Sequence, residues 1–573
     1  MTIMETIRHK VQFCVVGGGL AGMCAALAAA RHGIKTLIIH ERPMFGGNAS
    51  SEIRMWVCGS YYDRETGIIE ELRLENLYRN THPSYAVWDT VLYEKMRFQE
   101  NLTCLLNCSC MDAEMSDGRI KSVKGWQMTT QTFHIVEADF FADCSGDSIL
   151  APLSGAEFRI GREAKKEFGE SLGQDEADDK TMGMSCIMQV RETDSPKKFI
   201  PPAWAYKYPT DESFPKRGHL IKWFLNFWYL EYGGDQDSIK DTEEIRDDLI
   251  KTALGMWDHI KNQGDHQADN WILDWLGFLP GKRESRRCIG DHLLTQHDVL
   301  DGGNFEDIVA FGGWPVDDHH PAGFRYFGPP NMVIEPGKSY GIPLRCLYSK
   351  NVPNLLFAGR NISATHTGLS STRVMATCAT LGQAAGTAAF HAIKNNCPDV
   401  RTAAKDHIRD IQQTLLDDDC YLLHIKREVS AITRNAELTV SSGDAELLRN
   451  GFDRPDENCD NAWHVTPGDW AEYTAADGDR FTEVRLIFDS NLKRNHLNMV
   501  ANYPLKGEVY TPPDELVQSF HIEADGKEVF RTDNNYQRLV KIKLDSPAKQ
   551  VKLVIDSLRE NSEDVRMFSF EAR

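Results

Sequence analysis

Three glycines in "VVGGGLAGMC", Gly17, Gly19 and Gly22, stand at G-x-G-x-x-G spacing, and a carboxylate, Glu41, follows nineteen residues after the last of them. In a strand-turn-helix setting that spacing holds a dinucleotide. The first glycine permits the tight turn, the second lets a pyrophosphate approach the backbone, and the third lets helix and strand pack closely. Unpaired N–H groups at the start of the helix receive the phosphates, and the carboxylate takes the ribose hydroxyls. The setting is present. Val11, Phe13, Val15 and Val16 form a β-rich run that stops at Gly17, the residues after it are Ala-rich and helix-favouring, and a second β run, Thr36 to Ile39, leads to Glu41.

The fingerprint alone does not separate NAD from FAD, and three later segments point to a flavin. "RPMFGGNASSE" (42–52) puts the glycine pair Gly46 and Gly47 and several hydroxyls directly after the ribose-binding strand. "VEADFFADCSGDSILA" (136–151) is a β run entering a turn at Ser145 and Gly146. "NLLFAGRNISATHTGLSSTRVMATCATLGQAAGTAA" (354–389) is a strand, a polar loop and a helix with one face of small residues, among them Ala376, Ala379, Gly382, Ala385, Gly386 and Ala389. Such a helix can lay its backbone and N-terminal dipole against a flat ring system.

On these segments, together with "GREAKKEFGES" (161–171), "LPGKRESRRCIGDHLLTQHD" (279–298) and "DIVAFGGWPVDDHHP" (307–321), the chain resembles the FAD-dependent oxidoreductases of glutathione-reductase-like fold over about residues 10–425. Within them it is most similar to a bacterial branch found among carbohydrate-catabolic proteins, some of them labelled xanthan lyases. The resemblance implies noncovalent FAD, since no histidine follows the glycine pair for a covalent tether. It places cofactor contacts at Gly17, Gly19, Gly22, Glu41, Arg42, Gly46, Gly47, Asn48, Ser51, Ser145, Gly146, Gly359, Arg360, Asn361, Gly382 and Gln383. It also implies oxidation of a secondary hydroxyl of a sugar, glycoside or sugar acid by hydride transfer to flavin N5. Two alternatives stand beside that: a redox-neutral, flavin-assisted glycoside cleavage, and a noncatalytic carbohydrate-associated flavoprotein.

A flavin that takes a hydride still needs a protein base to take the proton, and histidine is the natural candidate. His366 lies in the loop before the small-residue helix, four residues ahead of Ser370 and seven ahead of Arg373, and related flavoprotein reductases place a substrate-contacting histidine in a comparable loop. His319 and His320, after a tryptophan and two aspartates, are the next candidates, and Arg373 is a further catalytic candidate. Arg283, Arg286 and Arg287 suit either an anion clamp or pairing with carboxylates. "CLLNCSC" (104–110) has no metal-ligand spacing, so no metal is expected.

These residues must be positioned by more than one domain, because 573 residues exceed the roughly 250 to 300 that one core serves. The pattern predicts an α/β, Rossmann-like FAD-binding domain (10–151 and 346–425) interrupted by an inserted α+β substrate domain (152–345), then an antiparallel β-sandwich of jelly-roll type (430–573). In the insertion, 241–263 reads as an amphipathic helix, 219–235 as aromatic strand and 301–330 as a Gly- and Pro-rich loop. The tail carries β runs at 484–488, 520–522, 529–530, 551–555 and 565–570, with a hairpin signal at Asp525-Gly526. "LRNGFDRPDENCDNAWHVTPGDWAEYT" resembles the opening of discoidin-like, galactose-binding-like modules, in which Trp463 and Trp470 could stack on a sugar or serve as the core tryptophans common in such sandwiches, in a structural or oligomer-contact role.

A net charge of −20 disfavours nucleic acid and anionic membranes, and no apolar run approaches the ~20 residues of a membrane span. Few cysteines for the length, and a first decapeptide without the apolar core of a secretory signal, point to a reducing, cytoplasmic setting. The partner expected is a small carbohydrate-type molecule, with a homo-oligomer compatible.

Overall fold

The computed structural model describes residues 4–214, 217–219, 221, 226–456, 459–494, 509–562 and 564–573. They form two compact units. One takes Met1–Glu65 and His82–Gln412; the other takes Thr66–Thr81, Gln413–Asn495 and Val509–Arg573.

The first unit is built on a five-stranded parallel sheet: β1 (Phe13–Val16), β2 (Thr36–Ile39), β3 (Leu102–Leu105), β4 (Phe140–Asp143) and β5 (Leu355–Phe357), in spatial order β5-β4-β1-β2-β3. β1 sits at its centre, with Phe13 paired to Thr36 on one side and Phe140 on the other. Every residue of β1, β2, β4 and β5 is buried, which is why these strands read as unbroken apolar runs rather than alternating ones. An antiparallel meander over Cys108–Ser116, Arg119–Gln127 and Thr132–Glu137 shares a core with one face of this sheet, Ile120, Val123 and Val136 joining Cys14, Leu37 and Phe141.

Four helices recur below: α1 (Leu20–Arg31), α2 (Thr242–Asn262), α3 (His366–Thr372) and α4 (Met375–Lys394). α1 and α4 approach almost backbone to backbone. A β-carbon on Gly382 would lie 2.0 Å from the Ala21 carbonyl oxygen, and one on Gly386 2.2 Å from that of Ala25. The small-residue face of α4 thus admits α1 at Gly382 and Gly386, while Met375 and Cys378 at its N-terminal end line the cavity described below.

In the inserted region the helix expected at 241–263 is α2, with Glu243 and Glu244 in its first turn, where they complement the helix dipole. Its buried side, including Ile245, Leu249, Ala253, Met256 and Trp257, is the core of this region. The aromatic stretch 219–235 yields, among its described residues, one short strand, Glu231–Tyr232; residues 220 and 222–225 of that reading lie outside the described residues. The stretch 301–330 is not a plain loop. Ile308–Gly312 is a fully buried strand paired with Tyr340–Pro343, and Val316–His319 pairs with Asn331–Ile334. The apolar IVAF run outweighs the glycines and prolines, which serve as turns at either end.

The second unit is a sandwich of two antiparallel sheets. One has the order Glu437–Val440, Trp470–Thr474, Gln550–Ser557, Ser519–Ala524, Lys527–Thr532; the other Trp463–His464, Arg566–Ala572, Phe481–Phe488, Leu539–Ala548. All five expected β runs fall in these strands. Asp525 and Gly526 both have positive φ, 48° and 73°, as a two-residue type I′ hairpin requires. Trp463 is buried, its indole N–H donating to the Ser442 carbonyl, so it is a core residue and has no face to offer a sugar. Further, the helix Ile68–Arg79, far upstream in sequence, puts Leu74 and Leu77 into the sandwich core.

All fourteen cysteines are free thiols, most of them buried. Among the described residues no helix is long and apolar enough to cross a membrane.

Candidate active site

The turn from β1 into α1 is shaped by packing. Gly17 has φ 106°, and its β-carbon would collide with the Cys144 carbonyl at 2.3 Å; a β-carbon on Gly22 would lie 1.8 Å from the Gly17 carbonyl oxygen. Gly19 differs. Its nearest neighbour would be the Gly47 Cα at 3.9 Å, so the space beside it is open. That space belongs to a cavity of about 690 Å³, lined by Gly17 to Ala21, Glu41, Arg42, Gly46, Gly47, Asn48, Ser145, Gly146, Gly359 and Arg360. No side chain caps the first turn of α1, which leaves its N–H groups available.

The charges around this part of the cavity are set for a nucleotide. Burial opposes ionisation of Glu41, but His40 and Arg42 outweigh it and hold its carboxyl down at about 2, so it accepts hydrogen bonds at neutral pH. Arg42 Nη1 and Arg360 Nε are buried with no hydrogen-bond partner among the described residues. Asp147 receives Arg360 Nη2 at 2.9 Å and Lys282 Nζ at 2.8 Å; against burial, these cations keep its carboxyl at about 2. Asp143, at the end of β4, accepts from the Ser145 and Leu150 N–H groups and so builds the turn that carries Ser145, Gly146 and Asp147. An open glycine cradle, an uncapped helix start, two under-satisfied arginines and an ionised glutamate fit the FAD that the sequence resemblance implies.

Five expected cofactor residues do not line the cavity. Gly22 and Gly382 are filled in by helix packing. Gln383 is buried within α4. Ser51 gives its N–H to Asp89, and Asn361 gives its amide to the Asp143 carbonyl. His40, Asp147 and Lys282 are cavity residues that the sequence reading passed over. His40 accepts the Gly18 N–H at 3.0 Å and donates to the Met44 carbonyl, so it pins the glycine turn.

A second wall of the same cavity carries Trp228, Arg283, Trp314, Asp317, His319, Asn331 and Arg373. His319 ends the strand Val316–His319, and its Nδ1 is 2.7 Å from Glu231 Oε2, while its Nε2 is 3.4 Å from Asp317 Oδ2. Glu231 is buried, yet Arg283 and His319 hold its carboxyl below the ordinary range. Asp317 is held far below it, again against burial, by His319, Arg373 and Asn331. Arg373 Nη2 donates to both the carbonyl and the carboxylate of Asp317 at 2.9 and 3.1 Å. Both ring nitrogens of His319 thus face a carboxylate oxygen, Nδ1 at the shorter distance and Nε2 at the longer.

His366 and His320 do not line the cavity. His366, at the start of α3, is buried between two carboxylates: Nδ1 is 2.9 Å from Glu284 Oε2 and Nε2 3.0 Å from Asp318 Oδ1. Burial alone would lower its pKa, but these carboxylates push it up to about 10. With both nitrogens engaged by carboxylates and its ring outside the cavity lining, His366 holds the loop in place. His320 is exposed and stacks on Tyr326 with ring centroids 3.7 Å apart.

The family model described as FAD dependent oxidoreductase matches residues 12–415. No curated protein matches the sequence. Among solved structures the chain is similar to L-proline dehydrogenase from P. horikoshii, with 18% identity over 25% of this chain and 24% of that one and a TM-score of 0.17. It is also similar to a geranylgeranyl bacteriochlorophyll reductase-like protein from Thermoplasma acidophilum, 12% identical over 72% of this chain and 86% of that one, TM-score 0.31. A third is glycerol-3-phosphate dehydrogenase from Bacillus halodurans complexed with FAD, 13% identical over 32% and 40% of the two chains, TM-score 0.21. The chain spans less than half the length of the two dehydrogenases.

Proposed function

This chain belongs to the FAD-dependent oxidoreductase family, and we propose that it oxidises a secondary hydroxyl of a sugar, glycoside or sugar acid, with His319 as the base. The observation that carries the reading is the His319 imidazole on the cavity wall, anchored through Nδ1 to Glu231 at 2.7 Å, while Nε2 has only a long 3.4 Å contact with Asp317 Oδ2 that a substrate hydroxyl would replace. Bound FAD supplies a hydride acceptor. The chain supplies the rest. His319 Nε2 takes the hydroxyl proton, Glu231 fixes the ring's tautomer and orientation, and Asp317 stabilises the imidazolium that results. Arg373 and Arg283 balance those two carboxylates, so the wall holds its charge without water.

The carbohydrate class is supported by what else stands on that wall. Trp228 packs edge-on to His319 at 5.4 Å, and Trp314 and Tyr61 meet edge to face at 4.8 Å, which gives apolar ring faces for the C–H surface of a sugar. Asn331 and Asp317 sit beside them as hydroxyl partners. The test is anaerobic flavin reduction by a panel of glycosides and sugar acids. A sugar-class compound should bleach the flavin, and His319→Ala should retain FAD while slowing that reduction by about 100- to 10,000-fold. Bleaching by other alcohols or amines but by no sugar would overturn the substrate class, and an unslowed variant would overturn the base.

A further inference from the structure

Away from the cavity, the inserted region gathers three histidines and an aspartate at one point. His259 lies in the last turn of α2, His266 seven residues on, Asp211 at the start of the short helical turn Asp211–Ser213, and His219 just beyond that turn. One ligand-capable atom from each lies within 4.8 Å of all the others. His259 Nε2 is 3.0 Å from His266 Nε2 and 3.0 Å from Asp211 Oδ1, while His219 Nε2 and His266 Nε2 are 3.4 and 3.7 Å from the same oxygen.

Two features separate this from polar residues that happen to meet. The first is direction. His259 Nδ1 donates to the Tyr208 carbonyl at 2.7 Å, and His219 Nδ1 faces the Arg217 carbonyl at 3.4 Å; each ring is thus anchored through Nδ1 and turns its Nε2 toward the common centre. This carbonyl-backed imidazole is the arrangement that outer-shell bonds give to metal-binding histidines. The Nε2 atoms of His259 and His266 meet there at 3.0 Å beside the Asp211 carboxylate oxygen, three ligand-capable atoms at one point. The second is spacing. Ligands at 2.0–2.1 Å around a tetrahedral zinc ion are ~3.4 Å apart, and the four measured separations bracket that value.

We propose that Asp211, His219, His259 and His266 form a tetrahedral, closed N3O site for a divalent transition metal, zinc by its ligand set. Three imidazoles and one carboxylate are borderline ligands that suit zinc, and four protein ligands leave no open position for substrate, so the ion is structural. It ties the 208–219 segment to the end of α2. Phe214 packs on the rings of His259 and His219, with centroids 4.7 and 5.0 Å away, and covers one side of the cluster, while Asp211 lies on its solvent side. Sequence spacing gives no hint of this, because the ligands come in two pairs some forty residues apart with no C-x-x-C or H-x-x-x-H run; the expectation of no metal rested on that missing pattern.

The test uses tag-free, full-length, FAD-loaded protein, supplemented with zinc and then dialysed against metal-free buffer. Elemental analysis should give one zinc per chain, and the His259→Ala/His266→Ala double variant should retain at least tenfold less. Zinc-edge X-ray absorption on the parent should show four nitrogen or oxygen neighbours at ~2.0 Å with outer-shell scattering from imidazole; this measurement decides the matter even where the variant does not fold. Zinc far below one per chain in the parent, an undiminished zinc content in the variant, or an absorption spectrum without imidazole scattering would overturn the proposal.

Discussion

Replacing His366 with glutamine should change how stability depends on pH before it changes any chemistry. In the folded chain its pKa stands at about 10, held there by Glu284 and Asp318 against the cost of burial; in the unfolded chain it is about 6.5. Because the folded value is the higher one, the stabilisation is fully present below about pH 6.5 and is lost as pH rises toward 10. Each unit in that window costs up to ~1.4 kcal/mol, or about 2 to 3 kcal/mol between pH 7 and 9. His366 is only 5% exposed, so solvent screens little of this. At pH 7 the variant leaves Glu284 and Asp318 without their shared cation, and breaking such a buried pair costs about 3 to 5 kcal/mol. Urea unfolding of parent and His366→Gln at matched ionic strength, at intervals from pH 7 to 9, measures the difference directly, and the subtraction cancels the titrating groups that His366 does not touch. The gap should narrow as pH rises. A gap that stays constant would mean that the imidazole is not charged in the fold, and a variant as stable as the parent that loses substrate-driven flavin reduction would restore His366 as the base.

Three further outcomes follow from packing. Gly19→Val should give a folded protein without flavin, since its side chain enters the open space beside Gly47 that the pyrophosphate needs; yellow protein with parental FAD content would refute this. Gly386→Val should lower the melting temperature while sparing the cavity lining, because its β-carbon meets the Ala25 carbonyl at 2.2 Å and forces α1 and α4 apart, at a cost of about 1 to 3 kcal/mol or more; an unchanged melting curve would refute it. A chain ended at residue 428 should be aggregation-prone and should bind hydrophobic dyes, since the helix Ile68–Arg79 loses the strands that cover Leu74 and Leu77; a stable, monodisperse fragment would refute it.

What the sequence disclosed was local. Gly17, Gly19 and Glu41 lie within one strand-turn-helix-strand unit, so spacing alone identifies them. The type I′ turn at Asp525-Gly526 and the acid-started helix α2 are legible for the same reason. The base was harder to see. His366 has Ser370 and Arg373 close by in sequence, which makes its loop look reactive, whereas the partners that decide its charge, Glu284 and Asp318, lie some fifty to eighty residues upstream. The role proposed for His319 rests on Glu231, eighty-eight residues away. The small residues of α4 carry a true signal of close approach, but periodicity cannot say whether a ring or another backbone does the approaching; here it is α1. Arg427, Arg485 and Arg538 in the second unit are buried and paired with acidic residues such as Asp453 and Asp419, long-range matches that no sequence window contains.

The helix Ile68–Arg79 also sets a schedule for synthesis. It leaves the ribosome early, yet its partners include Glu75 with Tyr536, and Tyr78 stacked on Tyr536 at 3.9 Å, and the last strand of its sandwich ends at Ala572. At ~5–20 residues per second, the roughly 490 residues that follow it take about 25 to 100 s to appear. For that interval Leu74 and Leu77 have no sandwich to enter. Neighbouring stretches on either side of the helix can meanwhile settle into the parallel sheet. Until the sandwich strands appear, the apolar side of residues 66–81 has no core to bury it, so completion of this unit waits on the last strand made.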